Sequence, residues 1–267
     1  MDLLPVRFSQ LKLMALSPAH YRENYVKQTP CMEQGSATDA LILGTSPVIA
    51  YPGKVRRGKE WEKFQADHSS ELIVTARELS LAERMRDSIA ANPAARLALC
   101  GERQKEIKWE YLGRSCVSHL DVLGSDAAGL FISDLKVSQS SNPDKFRWKM
   151  IKMAYHAQLA FYRLSVQYLT GTKPRTAYSV AIEPSPPFVV TTMRLTEKAL
   201  ELGERLVRLW FERLLACEAA NEWPGYAQGV VELDAPDDVE FEFSDGERSV
   251  DFDLNECVAA APEEMIK

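Results

Sequence analysis

Cysteine is scarce and scattered in this chain. The 267 residues hold five, at positions 31, 100, 116, 217 and 257, and no two form a CxxC pair. A zinc site, a disulfide framework and a four-thiolate iron–sulfur centre all need grouped thiols, so none is indicated. Long apolar runs are missing too: no stretch approaches the roughly 20 residues that cross a bilayer. The opening MDLLPVRFSQLKLM lacks the unbroken apolar core of a signal peptide, which points to the cytoplasm. No internal repeat or low-complexity tract is present.

Excess positive charge is also lacking. Lys and Arg number 32 against 38 Asp and Glu, a net of −6. The distribution changes what this implies. Positions 232–267 carry 13 acids and 2 bases, a net of −11, so the remaining residues carry +5. A mildly basic body can still hold a polyanion, especially in an enclosed channel. The length suffices for one substantial core, and two domains are not required. The expected organisation is one domain over 1–231 and an acidic tail over 232–267, partly ordered at most.

What is present is a hydrophobic period that changes along the chain. Phe8, Leu11, Met14 and Ala15 have helical spacing, and Ser17-Pro18 interrupts or restarts the helix. In MEQGSATDALILG (32–44), Ser36 can cap a short helix with Ala37, Ala40, Leu41 and Leu43 as its apolar surface. Asp39 is an acid among these apolar neighbours. After the strand-like VIAY, Gly53 to Lys59 fit the first seven positions of a phosphate-binding loop, GxxxxGK. Glu60 then stands where that loop needs a Ser or Thr, and an acid there repels phosphates, so nucleotide binding is rejected. Arg56, Arg57 and Lys59 beside Trp61 can grip a nucleic-acid backbone or form a solvated loop; Phe64 is expected in the core. A helix over 75–99, broken at Asn92-Pro93, reads as scaffold.

The period then shifts toward two. Strands are predicted over 104–113, 115–124 and 130–137, joined by short turns as an antiparallel meander. A helix capped by Ser141-Asn142-Pro143 runs to about Thr170 and stops at Gly171. Two strands, 175–184 and 188–196, precede a helix over 197–221 capped by Thr196, and DVEFEFSD in the tail can add an edge strand. The fold class is therefore α/β (α+β): a central mixed sheet with an antiparallel meander, flanked by helices.

The stretch from Val117 to Tyr162 carries the chemistry. Asp121 ends one apolar run, Asp134 ends the next, and Lys136 follows two residues later. Gln158 and Tyr162 differ by four and share a helix face. Two carboxylates and a lysine converging at strand ends suit a hard divalent cation beside a phosphate.

This pattern resembles the PD-(D/E)XK nuclease superfamily, with its restriction-endonuclease-like core, and within it the exonuclease VIII and phage lambda exonuclease branch. The likeness runs from residue 8 to about 230: SPAHY before the GxAxxALxL helix, RRGKEWEKF at 56–64, and the closing WPGY. It implies Asp121 as the first acid, Asp134-Leu135-Lys136 as (D/E)XK, and Gln158 with Tyr162 as QxxxY. Catalysis would use Mg²⁺, with Mn²⁺ able to substitute, held by Asp121, Asp134 and the carbonyl of Leu135. Asp39 stands where the family usually has a metal-binding histidine; it is either a ligand or an acid on the solvent side of its helix. Glu106 is either a water-mediated ligand or one face of a solvated strand. His119 departs from the family's Arg-Pro-Asp or Lys-x-Asp ending and is a phosphate contact or a partly buried histidine. His156, on another face from Gln158, is a further DNA-contact candidate. Relatives thread linear double-stranded DNA ends through a ring of three or four subunits and digest one strand from its 5′ end. They leave a 3′ strand for an annealing protein, often in a phage or prophage setting. The same fold also builds endonucleases and nickases, and a decayed site would leave a DNA-binding module.

Overall fold

The computed structural model describes residues 4–24, 30–53, 55–227 and 229–232, with the backbone alone for 30–36. The chain falls into a unit Met1–Gln228 and a unit Gly229–Lys267. The acidic tail beyond 232 and its expected edge strand lie outside the described residues.

The first unit begins with α1 (Phe8–Leu11), a 3-10 turn (Lys12–Ala15) and α2 (Pro18–Glu23). Then come α3 (Pro30–Leu43), β1 (Val48–Tyr51), α4 (Lys59–Asp67), β2 (Leu72–Thr75), α5 (Ala76–Ala91) and α6 (Pro93–Ala98). The meander is β3 (Glu102–Tyr111), β4 (Arg114–Asp126) and β5 (Gly129–Val137). It is followed by α7 (Pro143–Lys152), α8 (Tyr155–Thr170), β6 (Thr176–Ile182), β7 (Val190–Arg194) and α9 (Glu197–Ala220).

Strands β3-β4-β5-β6-β7 form one mixed sheet in that order. The first three are antiparallel, β6 is parallel to β5, and β7 is antiparallel to β6. The parallel step requires a crossover, which α7 and α8 supply. This is the architecture expected from the sequence. The short pair β1-β2 stands apart as a parallel ladder. The β3–β4 hairpin turns on Leu112 (φ 48°) and Gly113 (φ 77°). Two successive positive φ angles match the twist of the flanking strands.

The sheet divides the apolar residues into two cores. On one face Ile107, Trp109, Leu120 and Ile132 pack with Phe161 and Val166 of α8 and Phe211 and Leu214 of α9. On the other, Val122, Phe131, Leu135 and Val180 pack with Ala37 and Leu43 of α3 and Met85 and Ile89 of α5. Helices α8 and α9 cross closely at Gly203, where a Cβ would collide with the His156 carbonyl and Ala160.

Several expectations need correction. The helix predicted from 143 to 170 is two helices, broken at Met153–Ala154 with Ala154 left-handed at φ 56°. Nothing in KMIKMAYH breaks a helix by propensity. A left-handed alanine costs about 1–2 kcal/mol, offset by re-aiming α8 so that Ala157, Phe161 and Val166 lie in the core. Helix α3 starts at Pro30, so Ser36 lies inside it rather than at its N-cap. Ala15 is exposed, and Phe64 is half-buried against Tyr51 because α4 contributes no buried residue.

Candidate active site

The site is built where the sheet's regularity fails. The β3–β4 register places Gln104 opposite Asp121, yet this pair drops out of the ladder, and Gln104 has φ 51°. The facing of side chains slips there. Ile107 and Leu120 belong to one core, whereas Val122 belongs to the other and Arg103 reaches the Ile42 carbonyl of α3. The β4–β5 pairing ends at Val122–Ser133, one residue short of the two acids. The Leu135 N–H donates instead to Asp121 Oδ2 at 2.8 Å, and Gln104 Nε2 reaches Asp121 Oδ1 at 3.4 Å.

Strand β5 alternates in its usual period. Ile132 faces the α8 core, so Asp134 and Lys136 project to the same side, while Leu135 fills the opposite core. Asp134 is 2 % exposed, and its Oδ2 lies 2.6 Å from Lys136 Nζ. That contact is charge to charge, since Oδ2 meets no partner with hydrogen-bond geometry. The Lys136 ammonium also sits 4.9 Å from the centre of the Tyr155 ring. Above it, Gln158 Nε2 donates to Tyr162 Oη at 2.9 Å. The two residues are one turn apart on α8, as their spacing predicts.

The electrostatics follow from crowding like charges under protein. Burial, then the neighbouring Asp134, push Asp121 up to about 7, against the pull of Lys136 and the Leu135 amide. Asp39 is pushed up to about 8 by burial first and then by Asp121, with Lys136 opposing and Asp134 adding. Burial pulls Lys136 down, but Asp134 and Asp121 outweigh it and raise the lysine above its ordinary range. Burial raises the Tyr162 hydroxyl, and Asp134 raises it further. Three acids thus share one field, with the Lys136 charge set against them.

A divalent cation fits this donor set. The acids repel one another, and Asp134 Oδ2 is buried with the Lys136 charge beside it but no aligned hydrogen-bond donor. Among the described residues no three His, Cys, Asp or Glu side chains close into a cage. Magnesium needs none: it is commonly bound by one or two carboxylates, with waters and substrate phosphates completing its octahedron.

The other expected residues are placed less centrally. Glu106 is turned to solvent and lies 3.7 Å from His119 Nε2 and 3.6 Å from Lys108 Nζ. The β3 residue that reaches Asp121 is Gln104, on which the motif is silent, although counting back from the 112–113 turn pairs them. His119 lines a cleft shared with Lys12, Gln158 and Tyr162. His156 is a packing residue: it is 2 % exposed with Nδ1 at the Met150 carbonyl, so burial removes it from a DNA backbone. Arg56 pairs with Glu78 at 3.1 Å and lies over Trp61, whose ring also packs on Tyr51. Arg57 and Lys59 are exposed. Ser179, beside Asp134 in the β5–β6 register, has a buried hydroxyl without a partner, and no sequence signal marks it.

The sequence profile of a family described as a PDDEXK-like domain of unknown function (DUF3799) matches residues 7–234. The chain belongs to that family. This PDDEXK-like domain spans the whole sheet and both helical layers, and the acids of β4 and β5 lie inside it. No curated protein matches the chain. The crystal structure of a proposed exonuclease from Eubacterium rectale superposes with a TM-score of 0.59 at 16% identity, over 87% of this chain and 91% of that one. At that identity the likeness shows the fold alone. The structure of SSO0001 superposes with a TM-score of only 0.29 at 11% identity, over 75% of this chain and 84% of the other. Among the described residues, no helix is long and apolar enough to cross a membrane.

Proposed function

We propose that this PDDEXK-like domain is a Mg²⁺-dependent exonuclease that hydrolyses linear double-stranded DNA from its 5′ ends and leaves 3′ single strands. The observation carrying this reading is the buried Asp134–Lys136 pair facing Asp121, beneath Gln158 and Tyr162. Family membership and the superposition on a proposed exonuclease support it.

In this reading Asp121 and Asp134 bind the cation, with the Leu135 carbonyl and Asp39 beside them. When bound, the metal lowers the pKa of a water and offsets charge on the scissile phosphate. The Leu135 amide and Gln104 fix the Asp121 carboxylate. Lys136 stays protonated and stabilises the charge that develops on phosphate oxygens. Tyr162 accepts from Gln158, which leaves its own proton to donate to a phosphate or to the attacking water. Arg57 and Lys59 belong to the same reading as backbone contacts. So do the ring of three or four subunits and the annealing partner that the resemblance implies.

End-labelled linear duplex should be degraded with Mg²⁺ and left intact in EDTA, while closed circular duplex survives. Attack on closed circles would replace this reading with an endonuclease or nickase. DNA binding without hydrolysis in either Mg²⁺ or Mn²⁺ would replace it with a decayed binding module. Asp39→Ala should raise the Mg²⁺ concentration for half-maximal cleavage by about tenfold or more. An unchanged requirement places Asp39 outside the metal's reach.

A further inference from the structure

Hydrolysis of a phosphodiester leaves an alkoxide that must be protonated, and the lysine and tyrosine of the motif already have partners within the site. The Lys136 ammonium is turned to Asp134 Oδ2 at 2.6 Å. The Tyr162 hydroxyl is engaged by Gln158 Nε2, which donates to it at 2.9 Å. His119 stands at the cleft's edge, its side chain 42% exposed, facing Glu106.

The N-terminal segment brings in another cation. Val6 pairs with Cys116 along the part of β4 that β5 leaves open, with Val6 N to Ser115 O and Val117 N to Val6 O both at 2.9 Å. Phe8, Leu11 and Met14 are then locked in the core at 5%, 0% and 0% exposure. Lys12 lies between these anchors, half-buried, on the wall of the cleft that Gln158 and Tyr162 also line. Among the described residues no carboxylate pairs with it. A partly buried lysine without a counter-ion is costly unless an anion visits it.

We propose that Lys12 is the general acid of the reaction, delivering its ammonium proton to the leaving oxygen. The inference rests on the nuclease reading above. A water oxygen bonds to phosphorus as the bond to the bridging oxygen breaks. That oxygen takes the bond pair and a proton from Lys12, becoming the product hydroxyl. The attacking water loses one proton to solvent, and neutral Lys12 regains one from solvent, so the sum is phosphodiester plus water to phosphomonoester plus alcohol. Lys12 suits the task because burial, and then the charge of Lys136, lower its pKa toward the working range. Among the described residues the other charged or titratable groups on the cleft are Arg7, His119, Tyr155 and Tyr162. None of them adds a carboxylate that would hold the proton back.

The test uses the full chain with duplexes carrying sulfur at the 3′- or the 5′-bridging position of the scissile linkage. The substrate whose sulfur becomes the product thiol is the informative one, because a thiolate leaves without protonation. Lys12→Ala and Lys12→Arg should both lose about 10²-fold in single-turnover rate on the all-oxygen duplex. Both should come within about threefold of the unsubstituted protein on the informative sulfur substrate. Arginine keeps the positive charge but does not release a proton near neutral pH, so it separates proton transfer from electrostatic grip. Full activity of Lys12→Arg on oxygen, or equal losses on oxygen and sulfur, would overturn the proposal and leave the nuclease reading standing. An unsubstituted protein that cleaves neither substrate in Mg²⁺ or Mn²⁺ would overturn both. Circular dichroism and DNA binding in Ca²⁺, unchanged in both variants, exclude a folding defect.

Discussion

Lys136→Ala is expected to lower Mg²⁺-dependent cleavage by about 10³-fold or more, the range lost when a positioned charge or acid–base group is removed. Its ammonium is the cation closest to both acids, and it is 2.6 Å from Asp134. The motif alone suggests a variant that is inactive but otherwise intact. The structure adds a stability cost, because Asp134 is 2 % exposed and would lose its ion-pair partner. Breaking such a pair costs about 3–5 kcal/mol. The variant should therefore melt lower in EDTA and recover part of the loss in Mg²⁺, since a cation replaces the missing charge. Single-turnover digestion and paired melting curves check the two parts separately. Undiminished cleavage would remove Lys136 from the mechanism. A melting point in EDTA equal to that of the unsubstituted protein would mean that the ion pair contributes nothing to the fold.

The second large effect runs in opposite directions for function and stability. Asp121→Asn should also lose about 10³-fold in cleavage, because a neutral amide is a poor ligand for a hard cation. Asn can still accept the Leu135 N–H, so local geometry survives. In the folded protein Asp121 is raised from 3.8 to about 7. A carboxyl whose folded pKa is raised contributes stability that is fully present below its unfolded pKa and lost as pH rises through the folded value. The metal-free protein therefore loses this contribution between about pH 4 and pH 8, and Asn, which mimics the neutral acid, does not. At pH 9 in EDTA the Asn variant should be more stable by about 2 kcal/mol, a figure reduced from the full shift because the residue is partly solvated. Below about pH 4 the two proteins should converge. With Mg²⁺ at pH 9 the order should reverse, since the unsubstituted site gains a ligand that the variant cannot hold. Lower stability of Asp121→Asn in EDTA at pH 9 would mean that repulsion between the buried acids does not weaken the metal-free fold. Such a trade is usual at sites that concentrate like charge for a metal.

Much of this architecture is legible in the sequence because its signals are local. Alternation in 104–137 yields three strands, Thr196 caps α9, and Gly171 ends α8 in a left-handed residue at φ 70°. Capping and strand period depend on a few neighbouring residues, so they survive without knowledge of the fold. The acids, Lys136, Gln158 and Tyr162 are also legible, since spacing of two on a strand and four on a helix fixes which side chains can meet. The loop carrying Arg56 to Lys59 is less legible. Whether such residues serve a ligand or only solvent depends on what lies opposite, which a linear pattern does not contain.

The sequence by itself determined the three-stranded meander, the alternation that sets Asp134 and Lys136 on one face, and the pairing of Gln158 with Tyr162. Only the tertiary structure decided the slip at Gln104–Asp121, the break at Ala154 that aims α8 over the acids, and the place of Lys12 in the cleft. These depend on which surfaces are already occupied. A left-handed residue or a dropped ladder pair is unfavourable locally, and it persists because packing on both faces of the sheet leaves no better arrangement.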